Sequence, residues 1–414
     1  MNTTKPFQIP KQLVWEAWRR VKANRGAAGI DRESLADYEK DLNNNLYKLW
    51  NRMSSGSYFP PPVKGVEIPK KSGGYRLLGV PTCSDRIAQT VVTLQFEPIV
   101  ERVFLPDSYG YRPGKSAHDA IAAVRQRCWK SDWVLEFDIK GLFDEMPHSL
   151  IMKAVKHHTD CKWVILYIER WLKAPMLLKD GSLNSRDKGT PQGGCVSPVL
   201  SNLFLHYVFD KWMERTFPTI DWARYADDGL LHCKSYNQAQ MLHKAIKDRF
   251  NECGLELHPD KTKIVYCRDG NRKLKHDNTN FNFLGFHFKS RSAKNERTGV
   301  LFQSFQPAIG TDTLKEMRKT IKRKWRLGLT VHKSLQELAK DFNPVIRGWL
   351  NYYGKFYASA LAPLAYYINC KLIKWAMRKY LKLKRHKKRA VKWLEKVYRS
   401  SPTLFAHWEM FPVC

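Results

Sequence analysis

The sequence predicts an α+β body followed by an α-helical domain, and three observations carry that prediction. Up to about residue 305, short alternating segments are punctuated by Gly and Pro turns, whereas after Gln306-Pro307 long apolar-periodic stretches run with few turns. A length of 414 residues suits two or three domains, and 43% hydrophobic with 13% aromatic residues is ample for packed cores. The 71 Lys and Arg outnumber the 39 Asp and Glu, a formal charge of +32, so the surface attracts polyanions. No apolar span of about 20 residues and no N-terminal signal occurs, which leads to the expectation of a soluble cytoplasmic protein without a membrane partner. The 9 cysteines include no Cys-x-x-Cys pair, so neither a zinc module nor a disulfide framework is indicated.

In chain order, Asn24-Arg25-Gly26-Ala27-Ala28-Gly29-Ile30-Asp31 is a glycine-bearing loop. In Val66 to Arg76 a Gly73-Gly74 turn joins two strands and projects Lys70 and Arg76 from neighbouring positions. A flexible point charge beside a planar fork suits a triphosphate, although a solvated basic hairpin has the same pattern. Ser108 to Ser116 is a turn rich in aromatics and charge. Trp133 to Ile139 alternates as a half-buried strand carrying Asp138, then passes through Lys140-Gly141-Leu142-Phe143-Asp144 towards a helix near Ser149. In Gly189 to Pro198, Gln192 is followed by two glycines whose backbone permits close approach to a ligand, and a plain Pro-Gly turn is the alternative. Ile220 to Arg224 and Gly229 to Cys233 form two short strands, with Tyr225-Ala226-Asp227-Asp228 at the hairpin tip.

Adjacent acids at a tight turn repel one another, and the usual compensation is a divalent cation, for which Asp oxygens are hard ligands. A strand ending on Asp138 beside that hairpin brings three carboxylates together. Such a cluster can hold two Mg²⁺ about 3.5–4 Å apart, as nucleotidyl transfer requires. Beyond Leu257 to Lys263 and Phe283-Leu284-Gly285-Phe286, Leu314 to Trp325 is a basic amphipathic helix. Lys371 to Arg399 is a further basic run, interleaved with Trp375, Tyr380, Trp393 and Tyr398. Basic faces with aromatics suit RNA, and solvated faces over a buried aromatic stripe have the same pattern.

The fixed order of these blocks resembles a reverse transcriptase, and more narrowly the bacterial group II intron-encoded reverse transcriptase/maturase family, from Trp15 to about Trp408. The resemblance implies a right-hand polymerase with an N-terminal extension over 1–50, fingers and palm over 51–304, and an α-helical thumb/maturase domain over 305–414. It assigns catalysis to Asp138, Asp227 and Asp228, and metal binding to these with Ile139. Lys70, Arg76, Phe143 and Gln192 would bind the nucleotide, Phe143 being the aromatic that blocks a 2′-hydroxyl; Leu142 departs from the second aromatic frequent in the family. Leu284, Gly285 and Phe286 match the primer grip, and Arg25, Arg112, Lys384, Arg385, Lys387 and Lys388 are the candidate template and RNA contacts. The implied cofactors are two Mg²⁺ with deoxynucleotide substrates. The implied partners are a group II intron RNA, an RNA template with its DNA primer, and target DNA, placing the protein at the bacterial nucleoid when it acts on DNA.

Such proteins assist splicing and retrohoming. Many relatives continue into a Cys/His-rich endonuclease, whereas this sequence stops at Cys414, so a primer from a nascent strand or an existing break is expected. A splicing-only maturase and a host-adopted polymerase in repair or phage defence are the alternatives.

Overall fold

The structure, a computed structural model, describes residues 5–69, 73–295 and 297–413. The described residues divide into two compact units, one within 1–120 and 135–263 and the other within 121–134 and 264–414. The helices are α1 (Lys11–Ala23), α2 (Leu35–Lys40), α3 (Leu42–Ser54), α4 (Cys83–Glu101), α5 (Ala117–Lys130), α6 (Leu142–Glu145), α7 (His148–His158), α8 (Lys162–Lys173), α9 (Ser197–Leu205), α10 (Lys211–Thr216), α11 (Tyr236–Glu252), α12 (Thr311–Thr320), α13 (Leu335–Tyr357), α14 (Ala362–Lys379) and α15 (Lys387–Ser400). The strands are β1 (Val63–Pro69), β2 (Tyr75–Val80), β3 (Trp133–Asp138), β4 (Met176–Leu177), β5 (Leu183–Asn184), β6 (Trp222–Tyr225), β7 (Asp228–Cys233), β8 (Lys263–Tyr266), β9 (Phe281–Phe283), β10 (Phe286–Lys294) and β11 (Leu301–Ile309).

In the first unit, α1 buries Val14, Ala17, Trp18 and Val21, a three- and four-residue spacing that makes one apolar stripe, and packs on α4. Helix α2 begins where Ser34 and Asp37 satisfy each other's backbone in a capping box. Strands β1 and β2 form the expected basic hairpin, with Pro69 opposite Tyr75, and β4 extends the sheet parallel to β1. Strands β6, β7 and β3 lie side by side in that order. One face of these strands is covered by helices, since the Phe137 ring on β3 meets Phe209 at 5.2 Å and Phe250 of α11 at 5.8 Å. Between α9 and α10 the helix widens into a π turn over His206–Asp210.

In the second unit, β10 pairs with β11 and with β9. The change of organisation expected near residue 305 falls inside β11, which runs to Ile309; helices begin at Thr311. Pro307, read as a breaker, is accommodated because β11 is an edge strand and needs no donor on its open side. Trp325 stacks on Phe342 with ring centres 4.1 Å apart, and Ser334 with Glu337 caps α13. The basic run 371–399 is broken between α14 and α15. Its aromatics are largely core: Trp375 is buried and donates to the Thr330 carbonyl at 3.1 Å, Trp393 packs on Tyr380, and Tyr398 on Trp408. Among the described residues no helix is long and apolar enough to cross a membrane.

Candidate functional site

Three strands place the carboxylates. Arg224 pairs with Gly229 and Tyr225 with Asp228, leaving Ala226 and Asp227 as a two-residue turn. Ala226 takes the left-handed φ of 56° that tight hairpin turns favour. On β3, Phe137 points into the helical layer, so by strand alternation Asp138 points to the opposite face. There it hydrogen-bonds with Asp228. A Cβ on Gly229 would lie 2.0 Å from the Phe137 ring, so only glycine lets β7 approach β3 this closely.

Asp138 is buried, and Asp227 and Asp228 are half-buried. Burial, then repulsion by Asp227 and Asp138, pushes Asp228 up to about 8. Burial also raises Asp227, with Asp138 adding to the shift while Arg76 and Lys261 oppose it. Lys261 Nζ donates to both Asp138 oxygens, at 3.0 and 3.1 Å. Among the described residues no group of three or more His, Cys, Asp or Glu side chains is arranged as a ready-made metal cage. The donor chemistry nevertheless fits a hard divalent cation, because Asp228 is pushed far above its ordinary acidity even with Lys261 nearby, so the cluster remains short of positive charge. Ile139 buries its apolar side chain and pairs with Leu257, so only its main-chain oxygen could serve as a ligand.

Of the expected nucleotide residues, Lys70 lies outside the described residues. Arg76 on β2 reaches the field of Asp227 and of Tyr111. Gln192 is tied to the same strand, its carbonyl accepting from Gly79 N at 2.8 Å. Gly193 has φ 119° and a Cβ there would meet Gly79 O at 2.4 Å, so the loop requires glycine. Phe143 is half-buried and meets the exposed Tyr111 ring edge-on at 6.5 Å.

The loop is held from behind by a buried carboxylate that sequence reasoning missed. Asp85 on α4 accepts from Tyr58 Oη at 2.8 Å, Trp171 Nε1 at 2.7 Å and Gln89 Nε2 at 2.9 Å. Gln89 Oε1 in turn accepts from Val196 N at 3.3 Å. Burial pushes Asp85 up to about 6.

Arg224, also missed, is fully buried beneath the hairpin. Its guanidinium donates to both Asp210 oxygens at 2.8 and 2.7 Å, to Asn202 Oδ1 at 3.1 Å, to Ser108 Oγ at 2.7 Å and to the Ala226 carbonyl at 3.3 Å. A charged residue between Ala223 and Tyr225 inside a short apolar strand was the available signal.

Arg112 corrects an expectation. Its side chain is turned inward onto Glu101 at 2.6 Å and onto the Leu105 and Ser108 carbonyls at 2.6 and 2.8 Å, so it braces a turn and has no fork to offer a template. Arg25 is exposed with φ 47° after α1, and Arg86 anchors the same loop by donating to the Ala27 carbonyl at 2.8 Å.

In the second unit, the Leu284 carbonyl accepts from Tyr352 Oη at 2.8 Å, Gly285 has φ 79°, and Phe286 packs on Tyr352, Tyr353 and Phe356 of α13. Phe286 is therefore core, and the segment presents backbone. Lys384, Arg385, Lys387 and Lys388 are all exposed around the start of α15.

The profile of the family described as reverse transcriptase (RNA-dependent DNA polymerase) matches residues 68–288. That described as group II intron, maturase-specific domain matches residues 314–393. Protein YkfC of Escherichia coli (strain K12) is 32% identical over 313 residues, covering 64% of this chain and 80% of that protein. The group II intron-encoded protein LtrA of Lactococcus lactis subsp. cremoris is 32% identical over 210 residues, covering 50% of this chain and 34% of LtrA.

Proposed function

The chain belongs to the reverse transcriptase (RNA-dependent DNA polymerase) family and carries a group II intron maturase-specific domain, and from that premise we propose that it copies RNA into DNA by Mg²⁺-dependent nucleotidyl transfer and binds a group II intron RNA to assist splicing and retrohoming. The observation that carries the polymerase reading is the enforced proximity of Asp138, Asp227 and Asp228, with Asp228 driven to about 8. These residues would hold two Mg²⁺, which when bound acidify the primer 3′-hydroxyl and clamp the leaving pyrophosphate. Arg76, whose charge acts on Asp227, would take the triphosphate through its planar fork. The Gly193 backbone lets the Gln192 loop close on the base and sugar. Tyr111 and Phe143 wall the sugar side, where an aromatic ring excludes a 2′-hydroxyl. Given an RNA template, a DNA primer, deoxynucleotides and Mg²⁺, the purified chain is expected to extend the primer; no extension across a Mg²⁺ and Mn²⁺ series would sink the reading.

Phe143→Ala is expected to raise ribonucleotide incorporation relative to deoxynucleotide by roughly tenfold, the scale of relieving one steric clash in a pocket. Single-nucleotide insertion assays read this ratio, and an unchanged value assigns Phe143 to packing alone.

The pH dependence follows from Asp228. With its carboxyl raised to about 8, the free enzyme holds a proton below that pH, and the metal must displace it. Apparent Mg²⁺ affinity should therefore weaken as pH falls from about 8 to 6, by at most about tenfold per pH unit for one proton. Mg²⁺ titrations of primer extension at several pH values test this; a pH-independent midpoint contradicts it.

The RNA reading rests on cations set where they are locally costly. Lys387, Lys388 and Arg389 occupy the first turn of α15, against the positive end of its helix dipole, and are relieved by an anion there. Reversing charge at Lys384, Arg385, Lys387 and Lys388 should weaken RNA binding and flatten its salt dependence by about 0.7–0.9 in slope for each phosphate no longer neutralised. The same slope in the variant would mean these residues are merely solvated.

A further inference from the structure

A second concavity lies in the first unit, away from the carboxylates. It is a half-open cavity of about 640 Å³ between α7, the π turn, α10 and α11, within the range of about 300–1,000 Å³ typical of ligand pockets. The π turn and α11 supply Phe209 and Phe250 to the face of β3 that bears Phe137, so the cavity opens on the helical side, behind the sheet from Asp138.

Its lining combines two features. Lys153, Lys156, His157, Arg215 and Arg249 are all basic, and among the described residues no carboxylate lines the cavity. Lys153, Lys156 and Arg215 are exposed and engaged in none of the ion pairs among the described residues. Arg249 is held in place, donating to the Val208 and Tyr207 carbonyls of the π turn at 3.0 and 3.4 Å, with Glu252 at 3.4 Å. The second feature is a fixed aromatic wall. Tyr207, on the π turn, shares a 2.7 Å hydrogen bond between its hydroxyl and His158 Nε2, and His157 stands edge-on to its ring at 6.0 Å. Single-turn π widenings of this kind are frequent at functional sites.

An aromatic ring lining a cavity with a cationic rim matches an unstacked base with its flanking phosphates. An acidic peptide would use the rim and leave the aromatic wall idle. The geometry points to a receptor for a single nucleotide extruded from an RNA helix, with the base against Tyr207 and the phosphates on Lys153, Lys156 and Arg215. This assignment rests on the reading that the chain binds RNA, and it adds an anchoring point that the polymerase site and the α15 cluster do not supply.

The test uses the full chain saturated with RNA template and DNA primer, so that the catalytic acids are engaged. Two hairpin RNAs are compared by anisotropy, one with an uninterrupted stem and one with a single bulged 2-aminopurine in the same stem. Wild type should prefer the bulged hairpin by about tenfold, the scale of one base stacked on an aromatic side chain, with the 2-aminopurine fluorescence quenched. The surface variant Lys153→Glu/Arg215→Glu should lose the preference, Tyr207→Leu should lose the quenching, and both should extend primer at the wild-type rate. Equal wild-type affinity for the two hairpins overturns the proposal, as does a preference unchanged in the charge-reversed variant. So does an oligoglutamate peptide that binds wild type but not that variant while the hairpin preference persists in that variant. Failure of wild type to extend any primer is a separate result that undoes the polymerase reading instead.

Discussion

Asp227→Asn should abolish primer extension on an RNA template while leaving RNA affinity within about 0.5 kcal/mol of wild type, the range usual for changes remote from a binding surface. Asp227 sits in the turn between β6 and β7, so the change removes a negative charge without emptying any core volume. Replacing a carboxylate by an amide removes one of the three acids proposed to hold the ions. The loss should reach about 10³-fold or more, equivalent to roughly 4 kcal/mol at 1.36 kcal/mol per tenfold. Metal-dependent extension at wild-type rate would refute the assignment. The melting temperature serves as the control, and relief of repulsion against Asp228 should leave it equal or slightly raised.

The second large effect is on stability. Arg224→Gln leaves Asp210 fully buried with its principal cation gone. Breaking a buried ion pair by removing one partner costs about 3–5 kcal/mol. For a unit of this size that lowers the midpoint of its unfolding by on the order of 10 °C. Arg224→Lys should fall between, since an ammonium restores charge but cannot reach Asp210, Asn202, Ser108 and the Ala226 carbonyl together. Adding Asp210→Asn to Arg224→Gln should recover part of the loss, because the stranded carboxylate is then gone. A loss below about 1 kcal/mol in Arg224→Gln would show that solvent reaches the site and that the pair is dispensable.

What sequence reasoning reached, and what it missed, divides along a physical line. The hairpin bearing Asp227 and Asp228 and the strand ending on Asp138 were legible because alternation and the cost of adjacent acids are local properties. Arg224 was hidden because its partners Asp210, Asn202 and Ser108 come from three other segments, although a charge inside a short apolar strand was a signal that went unused. Asp85 was hidden for the same reason, its three donors lying up to 86 residues away. The inward turn of Arg112 depends on side-chain direction in a loop, for which periodicity carries no information. Pro307 misled the placement of the helical region because a proline is a breaker in a central strand and harmless on an edge.

The close approach of Phe137 to Gly229 has a consequence for how such a site can change over generations. Any side chain at 229 must first find the Phe137 ring shrunk, while a smaller residue at 137 alone leaves a void between Phe209 and Phe250. Each single step is therefore a loss, and only the simultaneous exchange is open. The two positions beside the acids are locked by sterics rather than by chemistry. A library randomised at 229 should return glycine alone, and one randomised at both should admit small-for-large swaps that neither single library contains.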